Sequence, residues 1–341
     1  MVSSSAIVAS NKRLAATFPD QLVAIFVGGT SGVGEYTLKA LARYAPQPRI
    51  YIVGRSRESA DRIISECQDA NANGVYEFVQ ADISLLKNID DVCRQIRSKE
   101  KAINLLFQTQ GTMAFSKTTS EGLPLASSVT SHGRTRFVLN LLPLLRNAKT
   151  LRRVVSVAAA TYEGPIDLNN LAGDGYTLHQ WRDQTASLQT LLMDEVARRA
   201  PDVAFVHSAP GVVKSGIMRD LEPTLGLSII IGISKLLVPF IQTSPDECAE
   251  QQLFIATSAR FPARQQSAGV AGVSLGSGLQ TARGIDGQTG SGMYSVDNKG
   301  ESASSRVESL LRQFKSDGTA EKAWERITAD YVKITGAEVG V

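Results

Sequence analysis

LVAIFVGGTSGVG, residues 22–34, is the stretch that decides the fold. Residues 22–27 are a continuous apolar run of strand length, a glycine-rich turn follows at once, and residues 35–44 have the pattern of a helix. Glycines in such a turn let the backbone bend tightly and approach a pyrophosphate, and the helix presents the positive end of its dipole to the anion. The stretch therefore predicts a strand, a phosphate-binding turn and a helix.

The alternation of apolar runs with amphipathic stretches continues along the chain. It predicts strands at residues 49–53, 75–80, 103–107, 153–157 and 203–207, and helices at residues 83–98, 134–146 and 187–199. Strands that are apolar throughout and separated by helices indicate a parallel sheet covered on both faces. The predicted fold class is a doubly wound α/β fold with three layers, α/β/α.

The pattern changes after residue 215. Residues 225–241 are strongly apolar, and two interpretations stay open: a helix that covers the substrate site, or a weak contact with a membrane surface. Residues 266–292 predict a mobile loop, and an edge strand at 292–296 and helices at 304–314 and 320–332 follow. We expect three parts: a leader at 1–20, the α/β domain at 21–262 with an apolar lid at about 216–243, and the loop, edge strand and C-terminal helical extension at 263–341.

Composition excludes several classes of function. Of the 341 residues, 43% are hydrophobic and 20% charged, and the formal net charge of +3 is too small to suggest a nucleic-acid surface. The three cysteines show no metal-ligand spacing and are expected to be packing residues in a reducing compartment. The first residues lack the charged flank and apolar core of a signal peptide, so we expect a cytoplasmic protein. From the cysteine spacing we expect no metal site.

Two arginines follow the second predicted strand, in the sequence Gly54-Arg55-Ser56-Arg57. A dinucleotide site that prefers NAD carries an acidic residue here, which binds the ribose hydroxyl. A guanidinium suits a ribose phosphate instead, because it offers a planar fork of donors to a dianion. The predicted cofactor is therefore NADP(H).

Four features together resemble the short-chain dehydrogenase/reductase family, which has the Rossmann fold. They are the glycine-rich turn, Arg55, the segment Ala81-Asp82-Ile83 and the segment at 210–215 (PGVVKS). The segments at 119–123 and 136–145 are similar to fungal members associated with secondary metabolism. In the family, the Asp after the third strand meets the adenine ring, and the segment after the sixth strand folds over the nicotinamide. The resemblance assigns cofactor binding to Gly28, Thr30, Ser31, Gly32, Val33, Gly34, Arg55, Asp82, Ile83, Gly111, Pro210, Gly211, Val213 and Ser215.

The family's proton-transfer residues are missing. Members usually use a Ser, a Tyr and a Lys four residues after the Tyr, a spacing that puts both on one helix face. Alignment places Asp183 at the Tyr position, Ser187 at the Lys position and Ala159 near the Ser position. The family's Asn-Asn-Ala-Gly is replaced by Gln108-Thr109-Gln110-Gly111.

Four residues are candidates for the missing catalytic groups: Asp183, Tyr162, Arg134 and His132. Asp183 can act as an acid or stabilise a cation, and it is otherwise an exposed helix residue. Tyr162 is the phenol nearest the expected site, and otherwise a packed loop residue. Arg134, with Arg136, can pair with Asp183 or with an anionic substrate, and otherwise at least one of the two is a surface arginine. His132 lies near the family's helix-kink Asn, and it is either a pocket residue or an exposed histidine at a helix start.

Three functions remain open at this point. The first, which we favour, is NADPH-dependent reduction of a ketone or an imine in a hydrophobic small molecule of fungal natural-product biosynthesis, with a non-standard proton donor. The second is a redox-silent cyclase or isomerase, similar to a Diels-Alderase, that uses the same pocket. The third is a cofactor sensor without turnover, which a covered substrate pocket argues against. We expect a monomer or a homodimer, and no nucleic-acid partner.

Overall fold

The structure, a computed structural model, describes residues 2–19, 21–218, 242–265 and 271–339. In these ranges seven strands form one sheet, in the order β3-β2-β1-β4-β5-β6-β7, and every pair is parallel. The strands are β1 Leu22–Val27, β2 Pro48–Gly54, β3 Val75–Gln80, β4 Leu105–Gln108, β5 Arg153–Val157, β6 Ala204–Ser208 and β7 Met293–Val296. This order reverses between β1 and β4, the point at which open α/β sheets bind their ligands.

Helices cover both faces of the sheet. They are α1 Ser4–Lys12, α2 Leu14–Thr17, α3 Gly32–Tyr44, α4 Arg57–Ala70, α5 Leu86–Lys99, α6 Leu125–Ser127, α7 Gly133–Asn147, α8 Leu178–Arg199, α9 Pro245–Thr257, α10 Ser305–Ser316 and α11 Thr319–Thr335. The apolar side chains of α5, α7, α8, α10 and α11 pack on one face, and those of α1 to α4 and α9 pack on the other. Successive residues of β1 alternate between these two cores, as the two-residue period of a strand requires. The predicted three-layer Rossmann fold is confirmed.

The strand predictions agree closely with the structure, and the helix starts agree less well. The bounds of β3 and β5 are those predicted, and β7 is the parallel edge strand. Helix α8 begins nine residues before the predicted start of 187, because Thr177 and Gln180 form a capping box at its N-terminus. Two C-terminal helices, α10 and α11, are confirmed with bounds shifted by one to three residues.

The expected leader is folded. Residues 4–12 form helix α1, and Ile7 and Leu14 are buried in the same core as α9. The side-chain amide of Asn11 donates to the carbonyl of Glu250 at 2.9 Å and to its carboxylate at 2.6 Å. The sequence missed this contact because its partner lies 239 residues away.

The loop after α9 is also anchored where the structure describes it. Val273 pairs with Ser258 in an isolated bridge, and Ala282 and Ile285 are buried. The predicted lid at 216–243 falls mostly on residues 219–241, outside the described residues, together with the alternative of a membrane-surface contact. No helix within the described ranges combines the length and the apolar character that a membrane crossing requires.

Candidate active site

The glycine-rich turn closes around its own backbone at the end of β1. Gly28 has a φ of +83°, and a Cβ there would lie 2.8 Å from the backbone nitrogen of Gln110. A Cβ at Gly34 would lie 2.7 Å from the carbonyl oxygen of Gly28. Side chains are therefore excluded from both positions, and the backbone of the turn packs closely against itself and against the segment after β4.

Helix α3 starts inside this turn, at Gly32. The side chain of the N-cap residue, Ser31, makes no capping hydrogen bond, so the N–H groups of the first turn are not used by it. Those N–H groups and the helix dipole form a site suited to an anion. A Cβ at Gly32 would lie 2.9 Å from the Cβ of Ser215, which brings the segment after β6 over the glycine turn.

The end of β2 carries exposed positive charge. Arg55 and Arg57 are exposed, and the Arg57 guanidinium lies 4.8 Å from the ring centre of Phe78 and 3.9 Å from the carboxylate of Asp61. The backbone carbonyl of Arg55 accepts a hydrogen bond from Gln80, which fixes the turn and leaves the guanidinium to solvent. This side of the cleft is suited to a phosphate on the ribose.

The other two cofactor segments line the same edge of the sheet. Asp82 is exposed after β3 and its carboxylate accepts from the N–H of Ser84 at 3.1 Å, while Ile83 is buried. After β6, the hydroxyl of Tyr36 on α3 donates to the carbonyl of Lys214 at 3.1 Å. A Cβ at Gly111 would lie 3.6 Å from Cδ1 of Ile217. The segment at 210–217 therefore spans the cleft from α3 to the end of β4.

Ser187 is fully buried and ties α8 to the loop after β5. Its hydroxyl accepts from the N–H of Gly164 at 2.9 Å and donates to the carbonyl of Gly164 at 2.6 Å. The Ser187 hydroxyl therefore uses its proton as a donor and one lone pair as an acceptor in its contacts with Gly164. The position holds two chain segments together and provides no cation.

Asp183, Arg182 and Tyr162 form a partly exposed cluster that joins α8 to the loop after β5. The Arg182 guanidinium lies 2.6 Å from the Asp183 carboxylate and 4.2 Å from the ring centre of Tyr162. Tyr162 is 48% exposed, and the Asp183 side chain is 31% exposed. The structure thus brings together two predicted residues, and it adds Arg182, which the sequence analysis did not single out.

Comparison with known proteins agrees with this geometry. The model of the family described as short chain dehydrogenase matches residues 22–159. Oxidoreductase AN1596 of Emericella nidulans is 35% identical, over 95% of this chain and 96% of its own length. The chain belongs to the short-chain dehydrogenase family. Oxidoreductase andH of Emericella variicolor is 34% identical, over 93% of each chain.

A solved structure shows the same fold. It is the alcohol dehydrogenase of the archaeon Thermococcus sibiricus in complex with 5-hydroxy-NADP, with a TM-score of 0.52 and 17% identity. The match covers 76% of this chain and 98% of that one. Short-chain dehydrogenases are oxidoreductases, and in this member helix α8, Leu178–Arg199, contains neither a Tyr nor a Lys.

The Arg134 side chain is not part of the cluster of Tyr162, Arg182 and Asp183. Its guanidinium is buried, and it donates to the carbonyl of Gln110, the hydroxyl of Ser156 and the carbonyl of Val157. Burial lowers the pKa of Arg134 to about 9, which leaves the group protonated at neutral pH. The expectation that Arg134 pairs with Asp183 or with substrate is therefore wrong: its donors are used to hold the ends of β4 and β5 together.

Arg136 and His132 face the C-terminal helix instead of the cleft. Arg136 is fully buried and pairs with Asp90 at 2.7 Å. The ring nitrogens of His132 lie 3.2 Å from the carbonyl of Ser127 and 3.1 Å from the carboxylate of Asp330, on α11. Because both nitrogens have protein partners, the structure contradicts a pocket role for His132. The sequence could not show this, since α11 follows about 190 residues later.

The residues described also include no group of three or more His, Cys, Asp or Glu side chains that could hold a metal ion.

Proposed function

We propose that the protein binds NADP(H) and reduces a ketone or an imine group of a hydrophobic small molecule, without the family's tyrosine and lysine. The observation that carries the proposal is the glycine turn, where a Cβ at Gly28, Gly32 or Gly34 would meet neighbouring atoms within 2.9 Å. A bare backbone surface at a helix N-terminus fits a pyrophosphate. Family membership and the fold shared with the Thermococcus sibiricus enzyme, solved with 5-hydroxy-NADP, support the same cofactor class.

The preference for NADP(H) rests on Arg55 and Arg57. Both are exposed beside the turn that would receive the adenosine ribose. Arg57 already has Phe78 and Asp61 as neighbours, whereas the Arg55 side chain extends into solvent. A ribose phosphate would give the Arg55 guanidinium a dianionic partner and a geometry suited to two hydrogen bonds.

A bound NADPH supplies a hydride to an electrophilic carbon. Asp183 is ion-paired with Arg182, so its carboxylate is suited to stabilise positive charge rather than to donate a proton. Tyr162 carries the phenol of the cluster and is the group we assign as proton donor for a ketone. An iminium already carries its proton, and its reduction would need the Asp183 carboxylate more than the Tyr162 hydroxyl.

A redox-silent cyclase or isomerase is the second candidate. The observation in its favour is that the family's Lys position is closed, because the Ser187 hydroxyl is bound to both backbone groups of Gly164. A cleft that keeps the Arg182–Asp183 charge pair can stabilise a polarised transition state without hydride transfer. In that case NADP(H) would be dispensable.

The first experiment is a fluorescence titration of the protein with NADPH and, separately, with NADH. We expect tighter binding of NADPH, and an Arg55→Ala variant should lose NADPH affinity by ~10–100-fold, the value of charge-assisted hydrogen bonds worth ~1.5–3 kcal/mol. NADH affinity should hardly change. Arg198→Ala is the matched control, because Arg198 is an exposed arginine near the C-terminal end of α8. Equal affinity for both cofactors would refute the role of Arg55.

Turnover then separates the two candidates. NADPH absorbance is followed with cyclohexanone and with pyrroline as hydrophobic probes, and product is quantified. The reductase predicts one NADPH oxidised per product, with Tyr162→Phe slowing ketone reduction more than imine reduction. Conversion of a polyene probe to a cyclised product without NADPH consumption would favour the redox-silent function.

The remaining parts of the proposal concern the setting of the protein. We propose a cytoplasmic enzyme that acts as a monomer or a homodimer on a small molecule of fungal natural-product metabolism. The support is the composition, together with the two fungal relatives named oxidoreductases.

A further inference from the structure

A row of buried polar side chains crosses four neighbouring strands, β4, β5, β6 and β7. The register pairs Gln108 with Ser156, Ser156 with His207, and His207 with Ser295. All four are at most 1% exposed. Register partners in a parallel sheet project to the same face, and here that face packs against α7 and α8. Buried polar side chains need hydrogen-bond partners, and the partners of this row show which parts of the chain it holds in place.

Glu163 supplies the negative charge of this row. It lies in the loop after β5, directly after Tyr162, and is fully buried. Its Oε1 accepts from the hydroxyl of Ser295 at 2.5 Å and from the hydroxyl of Thr190, on α8, at 2.8 Å. Nδ1 of His207 lies 2.8 Å from the same Thr190 hydroxyl and 3.7 Å from the carboxylate.

The direction of these hydrogen bonds fixes the charge states. Thr190 has one hydroxyl proton, and it donates that proton to Glu163, so His207 must donate its Nδ1–H to Thr190. Nε2 of His207 and Oε2 of Glu163 both have no hydrogen-bond partner in the described part of the chain, so a second proton on the ring, or a proton on that carboxyl oxygen, would be unsatisfied. The consistent assignment is an ionised Glu163 beside a neutral His207.

The surrounding charges agree with this assignment. Burial lowers the pKa of His207, and the positive charge of Arg134 lowers it further against the opposing effect of Glu163. Burial acts to raise the pKa of Glu163, but its interactions with the nearby His207 ring and with the hydroxyl of Ser295 outweigh it, so that pKa lies below its ordinary value. Arg306, on α10, contacts only the backbone carbonyl of Glu163, at 3.4 Å.

The same row holds the backbone of the loop that carries Tyr162. Thr161 has a φ of 71°, in the left-handed region that a β-branched residue adopts at a cost. Its N–H donates to the hydroxyl of Ser295 at 2.9 Å. Because the Ser295 proton goes to Glu163, the lone pairs of that hydroxyl are turned toward Thr161. On the far side of Tyr162, the N–H of Gly164 is fixed by Ser187.

We propose that Glu163 is a positioning residue: its buried carboxylate orients Ser295 and thereby holds Thr161 and Tyr162 in the conformation that presents Tyr162 to Arg182 and Asp183. The inference rests on the proposed function, since it gives Tyr162 a defined place in the cleft. Glu163 itself touches neither Arg182 nor Asp183. It acts through the hydrogen bonds that end at the Thr161 backbone.

The test is backbone amide exchange in the full chain, with Glu163→Gln as the variant. The variant keeps the shape of the side chain and removes its charge, and charge-assisted hydrogen bonds are roughly twice as strong as neutral ones. We expect amide exchange at Thr161 to accelerate by about tenfold, because exchange reports local opening, and exchange at Gly164, whose N–H is held by Ser187, to change less. Amides of Val155 and Val206, in β5 and β6, should keep their protection. Glu195→Gln, a glutamate on the outer part of α8, is the matched control.

Ser295→Ala is the second variant, which removes the direct partner of the Thr161 N–H and leaves Glu163 charged. It should produce the same local pattern even if Glu163→Gln fails to fold. Both variants should reduce kcat for cyclohexanone while leaving the NADPH dissociation constant unchanged. Unchanged exchange at Thr161 in a folded variant, or acceleration spread evenly through β5 and β6, would overturn the inference.

The outcomes for the two proposals can be separated. A wild-type protein that binds no NADPH would end the proposed function, whereas the exchange pattern at Thr161 and Gly164 would still decide whether Glu163 positions the loop.

Discussion

Replacing Arg134 with methionine removes the guanidinium that ties the ends of β4 and β5 together. In the native protein it donates to Gln110 through Nε and Nη2, and to Ser156 and Val157 through Nη1. Methionine fills much of the same volume but offers no donor. The carbonyls of Gln110 and Val157 would then lie in the interior without their partner.

The expected cost follows from those two carbonyls. Each buried acceptor left without a donor costs ~1–3 kcal/mol, and removal of a buried charge that has no carboxylate hydrogen-bonded to it offsets part of that cost. We therefore expect Arg134→Met to lower the free energy of unfolding by ~2–4 kcal/mol. With an unfolding entropy of ~2.1 cal/mol/K per residue, a chain of this length should lose ~3–6 °C in Tm.

Thermal and urea unfolding of Arg134→Met and of Arg198→Met, an exposed control on α8, measure this difference. The control should lie within ~0.5 kcal/mol of the wild type. A wild-type stability for Arg134→Met, combined with loss of turnover, would refute the structural assignment. Arg134 would then again be a candidate for a residue that acts on the substrate.

Two further predictions concern α11 and the glycine turn. Contact with His132 holds the pKa of Asp330 below its ordinary value, so this carboxylate stabilises the fold at neutral pH and loses that effect on acidification. Asp330→Asn should therefore unfold in less urea than the wild type at neutral pH, with the gap narrowing as the pH falls below the ordinary carboxyl pKa of ~3.9; a constant gap would contradict it. Gly28→Ala should abolish NADPH binding, because the Cβ would meet Gln110 at 2.8 Å. Gly278→Ala, at a φ of +80° with nothing within 4 Å, should bind NADPH normally and separates backbone strain from steric contact.

The parts of the structure that the sequence could predict are local. Strands β3 and β5 were predicted to the residue, because an apolar run and its flanking turns lie within one short window. The glycine turn is local in the same sense, since its conformation is set within the seven residues 28–34. The start of α8 was missed because its capping box lies nine residues before the apolar pattern begins.

The side chains around the chemistry depend on contacts between distant segments. His132 was expected in the cleft and lies against Asp330, 198 residues away. Glu163 was not considered at all, although it meets Ser295 at a separation of 132 residues. Periodicity shows which face of an element is buried, but it does not show which polar groups of different elements meet there.

The distribution of charge around Asp183 also bears on the substrate. In the family's arrangement the helix carries a Tyr and a Lys, so a cation lies beside the proton donor. Here the aligned positions carry Asp183, paired with Arg182, and the uncharged Ser187, while the charged groups of Arg134 and Glu163 are buried. Loss of the lysine cation and replacement of the tyrosine by a carboxylate make the cleft less favourable for a developing alkoxide and more favourable for a cation. Among the two electrophiles that we propose, the imine is therefore the one that this distribution of charge favours, and Asp183→Asn should slow reduction of pyrroline more than reduction of cyclohexanone.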